Sequence, residues 1–266
     1  MGLAIDTNLG HVTNAGAALT GLTMASGDTL TVRSFPTTGK AYLEAVMSQV
    51  STAGQARVKS PMFVDNVAGI TLPTKESPSE FLLPQDVGQP LVANDTLIAQ
   101  ATSGAADSSV VALRTYYTDL TGAAARLHNW SDIAGNIKGI KTVQVAVASS
   151  ATIGAWQDTV ITTTENLLQA NTDFAVLGYE TDTPYVCVGI KGSEMNNFRV
   201  CGPGATTTLD ISSYFVDFSN RMGTPHIPVF NSANNGSVFV SVAANTASVS
   251  GNVYLVLAQL ANNLPN

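Results

Sequence analysis

Two parts of this chain repeat one plan, and that repeat limits the possible folds more than any other feature. Near the C-terminus, residues 237–243 and 252–258 flank a loop of small polar residues. Roughly 140 residues earlier, residues 94–102 and 109–120 flank a similar loop, a spacing too long for a solenoid repeat. Alternating β-branched and aromatic residues in these segments predict a β-hairpin that occurs twice.

Further matches occur in the same order in both halves of the chain. When Tyr42 is aligned with Tyr185, the residues that correspond are Arg57-Val58 with Arg199-Val200, Pro61 with Pro203, and Gly88 with Gly223. Small insertions and deletions between these positions are typical of loops in a diverged duplication. The order of the matches therefore predicts that the two halves share one fold.

Each half divides into roughly eight short extended segments separated by turn residues, which is typical of a β-sandwich. In the first half the predicted segments are 29–35, 41–50, 55–59, 68–72, 79–83, 90–93, 95–102 and 109–118. In the second half they are 173–179, 184–190, 196–201, 206–211, 213–218, 226–230, 236–243 and 252–259. We predict an all-β chain of two tandem eight-stranded jelly-roll sandwiches related by internal duplication. A pair of immunoglobulin-like domains is the competing fold, but neither half has the Cys and Trp placement that would favour it.

The segment between the halves predicts a helix, which Thr121 can cap and Gly139 can end. One face of that helix would carry Leu127, Trp130, Ile133 and Ile137. The predicted domains are an N-terminal arm with the first jelly roll over 1–120, a linker helix over 121–141, and the second jelly roll over 142–266. Residues 142–147 and 159–163 are expected to be extra strands that connect the sandwiches, and the start of the chain fits an arm or a first edge strand.

Charge is scarce, since only 12% of residues are charged while 45% are hydrophobic. Charged residues are depleted at the centres of interfaces, so this composition favours a chain that buries much of its exterior against copies of itself. An extracellular β-protein with a Ser/Thr/Asn surface is the alternative interpretation. The net charge of -7 and the pI near 4.8 argue against direct nucleic-acid binding, which needs clustered Lys and Arg. No apolar run approaches a membrane-spanning length, and the N-terminus lacks the pattern of a secretion signal.

No catalytic, cofactor-binding or metal-ligating residue is predicted, because none of the familiar sequence motifs is present. The histidines His11, His128 and His226 stand far apart in sequence and are expected to be packed or solvated. Glu180 and Asp182 share a turn where a structural Ca²⁺ ion is conceivable, but two carboxylates do not make a site. Aromatic residues expected to face a core, rather than to stack on sugars, are Tyr116, Tyr117, Trp156, Tyr214, Phe215 and Tyr254.

Two cysteines, Cys187 and Cys201, are too few for a disulfide framework. A hairpin that turns near Glu194 would bring the two strands of the cysteines side by side, so a disulfide is geometrically possible. Two free, packed thiols are the favoured state.

The duplicated sandwich, together with the paired positions Arg57/Arg199, Pro61/Pro203 and Gly88/Gly223, resembles the double jelly-roll major capsid proteins of tailless icosahedral DNA bacteriophages, many of which contain a membrane. The resemblance rests on architecture and covers most of the chain. It implies a structural protein of the virion, made in the host cytoplasm, that is not an enzyme. It also implies a homotrimer that forms a pseudo-hexameric capsomer and contacts neighbouring capsomers, with minor capsid or internal membrane proteins as further partners.

Two other functions remain open from the sequence. A carbohydrate-binding β-sandwich of a phage tail, or a secreted lectin-like protein, would gather aromatic and acidic side chains at the loop ends of one sandwich. An enzyme on a β-sandwich scaffold would need buried ionisable groups that converge in a cleft, which nothing in the sequence predicts.

Overall fold

The computed structural model describes residues 2–13, 20–21, 23–24, 31–50, 54–62, 69–74, 77–83, 88–102, 108–122, 124–161, 169–204 and 211–265. In these residues the chain is almost entirely β, and α-helix is confined to α1 (Trp130–Ala134) and α2 (Tyr214–Met222). No described helix has the length and apolar character needed to cross a membrane.

The first sandwich consists of two sheets. Its strands are β1 (Ala4–Thr13), β2 (Thr20–Gly21), β3 (Thr23–Met24), β4 (Ala41–Val50), β5 (Gly54–Lys59), β6 (Ile70–Thr74), β7 (Ser79–Leu82), β8 (Gln89–Leu91), β9 (Ile98–Ala101) and β10 (Ser108–Tyr117). The first long sheet has the order β3-β1-β10-β4-β7, with β8 also paired to β4. The first short sheet has the order β2-β9-β5-β6.

The second sandwich repeats this topology. Its strands are β11 (Leu127–His128), β12 (Ile137–Ala148), β13 (Gln157–Val160), β14 (Asp173–Thr181), β15 (Cys187–Gly192), β16 (Arg199–Pro203), β17 (Ile227–Asn231), β18 (Val238–Ala243) and β19 (Ser250–Leu260). The second long sheet has the order β11-β17-β14-β19-β12, and the second short sheet has the order β13-β18-β15-β16. Matching strands occupy matching places in both sandwiches, so the predicted pair of jelly rolls is confirmed. The count of eight strands per sandwich and the domain limits 1–120 and 142–266 stay predictions.

A β-bulge marks the same place in both long sheets. β4 has an extra residue, Glu44, opposite the step from Arg114 to Thr115, and β14 has an extra residue, Leu177, opposite the step from Val256 to Leu257. Bulges re-aim the strand and shift its register, so they fix the alignment of the two halves. With the bulges aligned, Ile5 and Thr7 of β1 correspond to Ile140 and Thr142 of β12.

This alignment corrects the predicted correspondences. Tyr42 lies on β4, which corresponds to β14, whereas Tyr185 precedes β15. Arg57 lies on β5, which corresponds to β15, whereas Arg199 lies on β16, so these pairs are one strand out of register. Gly88 and Gly223 are also out of register. With the bulges aligned, Tyr42 corresponds to Ala175, so their partners Pro90 and Val229 correspond and Gly88 falls at Ile227. Because the loops of the two halves differ in length, residues on different strands coincide by chance when the two sequences are compared.

The repeated hairpin is also corrected. β9 pairs with β2 and β5, and β10 pairs with β1 and β4, so the two strands lie in different sheets. The same is true of β18 and β19. Each pair of strands therefore connects the short sheet of its sandwich to the long sheet and is not a hairpin within one sheet.

Three predicted elements differ from the structure. The helix over 121–141 is limited to α1, because Leu127 and His128 pair with β17 and β12 already begins at Ile137. The predicted strand 213–218 is the helix α2, whose buried residues Phe215, Phe218, Ser219 and Met222 follow helical spacing up to the left-handed Gly223. Of the predicted strand 29–35, residues 31–35 form only one bridge, between Thr31 and Thr96.

The N-terminal segment is a strand rather than an arm, since β1 pairs with β10 along its whole length. Of the segments expected as extra strands, 142–147 lies within β12 and residues 159–160 lie at the end of β13, and both strands belong to the second sandwich itself. Residues 162–163 lie outside the described residues. Residues 206–210 of the predicted segment 206–211 lie outside the described residues.

Candidate functional site

The two sandwiches meet where the outer face of the first long sheet packs on the outer face of the second short sheet. Side chains of β10 alternate between the two directions. Val111 and Leu113 pack in the core of the first sandwich, while Val110 and Ala112 pack against the second sandwich. β10 is therefore buried on both faces, as is typical of a strand inside a stack of sheets.

Small residues on the second short sheet allow the two sheets to approach closely. Leu9, Met47, Val110 and Ala112 from the first sandwich pack with Val186, Cys187, Cys201 and Ala243 from the second. Thr7 donates a hydrogen bond from its hydroxyl to the carbonyl oxygen of Arg199, at 2.9 Å. The contact is thus mainly apolar, with polar atoms paired across it.

A buried group of ionisable side chains lies beside this apolar contact. We define the charged cluster as Glu44, Glu80 and Arg114 of the first sandwich with Tyr214 and His226 of the second. Nη1 of Arg114 donates to the carbonyl oxygen of Cys201 at 2.7 Å and to the hydroxyl of Tyr214 at 2.5 Å. The Tyr214 hydroxyl in turn donates to Glu80 at 2.5 Å.

Arg114 is the centre of the charged cluster. It forms ion pairs with Glu80 at 3.3 Å and with Glu44 at 3.6 Å, and its side chain is almost fully buried. The guanidinium carbon lies 3.9 Å from the centroid of the Phe218 ring, a cation–π contact between the sandwiches. Removing this one side chain would leave two carboxylates buried without their cation.

Burial and charge shift the pKa values in the cluster in opposite directions. Burial raises the pKa of Glu80 above its usual value, although Arg114 opposes that shift. Burial alone would lower the pKa of Arg114, but Tyr214, Glu80 and Glu44 together raise it. The pKa of Tyr214 is raised well above its usual value, mainly by burial. Arg114 thus remains a cation and Tyr214 a neutral hydrogen-bond donor.

His226 links Glu44 to α2. Its Nε2 lies 2.8 Å from Glu44, and its Nδ1 lies 2.9 Å from the carbonyl oxygen of Thr224. Nδ1 also lies 3.1 Å from the hydroxyl of Thr224, so both ring nitrogens have hydrogen-bond partners. The ring also stacks on Tyr116, with centroids 5.1 Å apart.

A cleft of about 280 Å³ lies next to the cluster, between Tyr42 and Tyr116 of the first sandwich and Met222 and Thr224 of the second. It sits between the sandwiches, not at the loop ends where a carbohydrate site was expected. Within the described part of the chain, no group of three His, Cys, Asp or Glu side chains is placed to hold a metal ion.

The residues discussed from the sequence are scattered rather than assembled. His11 lies on β1 and His128 on β11, and only His226 joins the charged cluster. Asp182 accepts hydrogen bonds from the backbone and side chain of Asn252, which account for the lowered pKa of this carboxyl. Cys187 and Cys201 are buried thiols that are not joined by a disulfide, and burial raises the pKa of Cys201 to about 12.

The aromatic side chains agree in part with the prediction. Tyr116, Tyr117 and Phe215 are buried, whereas Trp156, Tyr214 and Tyr254 are only partly buried. Sequence reasoning missed the charged cluster. Its signal was the placement of Glu44, Glu80 and Arg114 inside predicted strands of a chain that has few charged residues.

No family model matches the chain, and no curated protein matches it significantly. Among solved structures, the major capsid protein of bacteriophage PM2 is similar at 9% identity over 98% of this chain and 99% of its own, with a TM-score of 0.27. The PBSX exported protein XepA is similar at 9% identity over 96% and 86%, with a TM-score of 0.27. A structure titled as the triple jelly-roll fold and turret assembly in an archaeal virus matches at 9% identity over 97% and 80%, with a TM-score of 0.24.

The first of these structures is a phage major capsid protein, the class that the sequence resembles. TM-scores of this size reflect a loose superposition. The fold stated above therefore rests on the strand order of this chain itself.

Proposed function

We propose that this chain is the major capsid subunit of a virus, and that three copies form a pseudo-hexameric capsomer of an icosahedral shell. The single observation that carries the proposal is the way the two sandwiches stack. The long sheet of the first packs on the short sheet of the second, so two different faces of like-built units meet.

A contact between a long sheet and a short sheet can be repeated from copy to copy. The first sandwich still has its short sheet, and the second its long sheet, for a further contact of the same kind. Such head-to-tail contacts generate rings where the rotation closes. Three chains with two sandwiches each would place six similar sandwiches around one axis. A particle with this hexagonal outline can tile a flat facet. The stacking therefore supports an assembling role better than the role of a solitary binding module.

The scarcity of charge supports the same role. Desolvating an unpaired ion at an interface costs several kcal/mol, and this chain has few charges on its strands. The proposed role is structural and needs no catalytic residue. The acidic net charge of -7 fits a shell that does not bind DNA directly.

Electron microscopy of the purified chain, or of a lysate that contains it, tests this proposal. We expect shells or three-fold particles with a hexagonal outline. Discrete single particles that bind sugars would instead support the carbohydrate-binding function and would contradict the proposal.

A further inference from the structure

The outer face of the second long sheet carries an exposed apolar side chain on its edge strand, β12. Ile140 on β12 is 62% exposed. Next to it are other exposed or half-exposed residues with little charge, namely Thr142, Gln144, Ala146, Tyr254 and Val256. Ile140 and its uncharged neighbours on β12 and β19 form a continuous exposed surface with no formal charge, which suits contact with a partner.

The first sandwich reveals which kind of surface covers this face. The aligned bulges place Ile140 at the position of Ile5, which is only 1% exposed. Thr142 likewise corresponds to Thr7, whose hydroxyl donates to Arg199 on the second short sheet. Part of the face that the second short sheet covers in the first sandwich is thus exposed in the second.

A short sheet with an open outer face is present in the same chain. Side chains on the outer face of the first short sheet are Gln55, Arg57, Lys59, Thr71, Pro73, Ile98 and Gln100. Ile98 is 39% exposed. In the described residues, no sheet of this chain covers either this face or the face that carries Ile140.

We propose that the second long sheet of one copy packs on the first short sheet of the next copy, as the first long sheet packs on the second short sheet within the chain. This inference rests on the proposed capsid function and adds the faces that join the copies. The occupant of each face is a second copy of this chain, because the contact continues the one already made inside the chain.

Charge on the two faces is complementary. The first short sheet presents Arg57 and Lys59, and the second long sheet presents Glu180, with Asp182 at its rim. Lys138 lies at the opposite end of the second long sheet, near Leu260. The face pair thus brings together two exposed isoleucines, Ile140 and Ile98, and sets Glu180 and Asp182 of one face against Arg57 and Lys59 of the other.

Two variants test the assignment, each with one face blocked. Ile140→Arg places a charge on the second long sheet, and Ile98→Arg places one on the first short sheet. Burying an unpaired charge in the contact should weaken association on the order of a hundredfold. We expect both variants to sediment as monomers where the unaltered chain is assembled. Val92→Arg, at a side chain 46% exposed and off both faces, is the matched control and should assemble.

Mixing the two blocked variants separates this contact from a symmetric one. Each variant keeps one intact face, so an equal mixture should form dimers, while each variant alone stays monomeric. Circular dichroism spectra that match those of the unaltered chain would establish that both variants fold.

Three outcomes would overturn the assignment. They are continued assembly of Ile98→Arg, continued assembly of Ile140→Arg, or dimers of either variant alone, which would indicate a contact between identical faces. In these three cases the proposed function survives. If the unaltered chain is a monomer at every concentration, both the assignment and the proposed function fail.

Discussion

Arg114 provides the sharpest test of how the two sandwiches are held together. In the variant Arg114→Met, the side chain keeps most of its length but loses its ion pairs to Glu44 and Glu80 and its hydrogen bonds to Cys201 and Tyr214. Breaking a buried ion pair by removing one partner costs about 3–5 kcal/mol. We expect the free energy of unfolding to fall by about that amount.

The loss should also depend on pH, because burial has already raised the pKa of Glu80. A carboxyl whose pKa is raised in the folded state stabilises the fold fully at a pH below its unfolded pKa of 4.5. That stabilisation is lost as the pH rises through the pKa of the folded state. Without Arg114, that pKa rises further. The destabilisation should therefore shrink as the pH is lowered from neutral toward that range.

The assay is urea unfolding followed by tryptophan fluorescence at several pH values. Arg57→Met is a matched control, since Arg57 is only partly buried and hydrogen-bonds Gln100 on the sheet surface. That control should change stability by about 0.5 kcal/mol or less. A triple variant that adds Glu44→Gln and Glu80→Gln should recover about 1 kcal/mol or more of the loss. A loss under about 1 kcal/mol for Arg114→Met, or one that does not vary with pH, would refute the role given to the cluster.

Further predictions concern the second sandwich. Asp173 is bound by Arg126, Asn231 and the backbone of Leu264, and the Arg126 hydrogen bond is the main cause that lowers its pKa despite burial. The stabilisation from this lowered pKa is present above pH 3.8, the unfolded pKa, and is lost as the pH falls through the lower pKa of the folded state. Asp173→Asn should therefore lower the free energy of unfolding by about 3 kcal/mol and flatten the acid limb of the curve of stability against pH. An unchanged acid limb would count against this. Cys187 and Cys201 should resist a thiol reagent until urea unfolds the chain, and rapid labelling of the native protein would contradict their burial. Gly189→Ala should destabilise by about 1–3 kcal/mol, because the new Cβ would lie 2.3 Å from the carbonyl oxygen of Val200. Gly236→Ala, with no atom near its Cβ position, is the control.

The sequence predicted the fold class because each long strand leaves a local pattern. The segments 41–50, 109–118 and 252–259 lie close to β4, β10 and β19 as observed. The helix α2 was misread because Tyr214, Phe215 and Val216 favour strands locally, whereas Phe218 and Met222 complete a helical face that only tertiary packing uses. The sequence did not distinguish a strand from an arm at β1, because Thr7 and Asn8 are polar and are buried only through contacts with distant residues such as Arg199.

The charged cluster could not be predicted for the same reason. Glu44, Glu80, Arg114 and His226 are distant in sequence, and they meet only because the two sandwiches stack. Likewise, nothing in the sequence distinguishes Ile140 until the bulges align it with the buried Ile5. In both cases the signal depends on register, which single-sequence patterns do not contain.

A cryo-electron microscopy reconstruction of the assembled chain tests the central claim most directly. The account predicts six similar sandwiches around one axis, in which every contact joins a long sheet to a short sheet and Ile140 of one copy is buried by the first short sheet of the next. A particle in which two copies meet through identical faces, or in which Ile140 stays exposed to solvent, would contradict it.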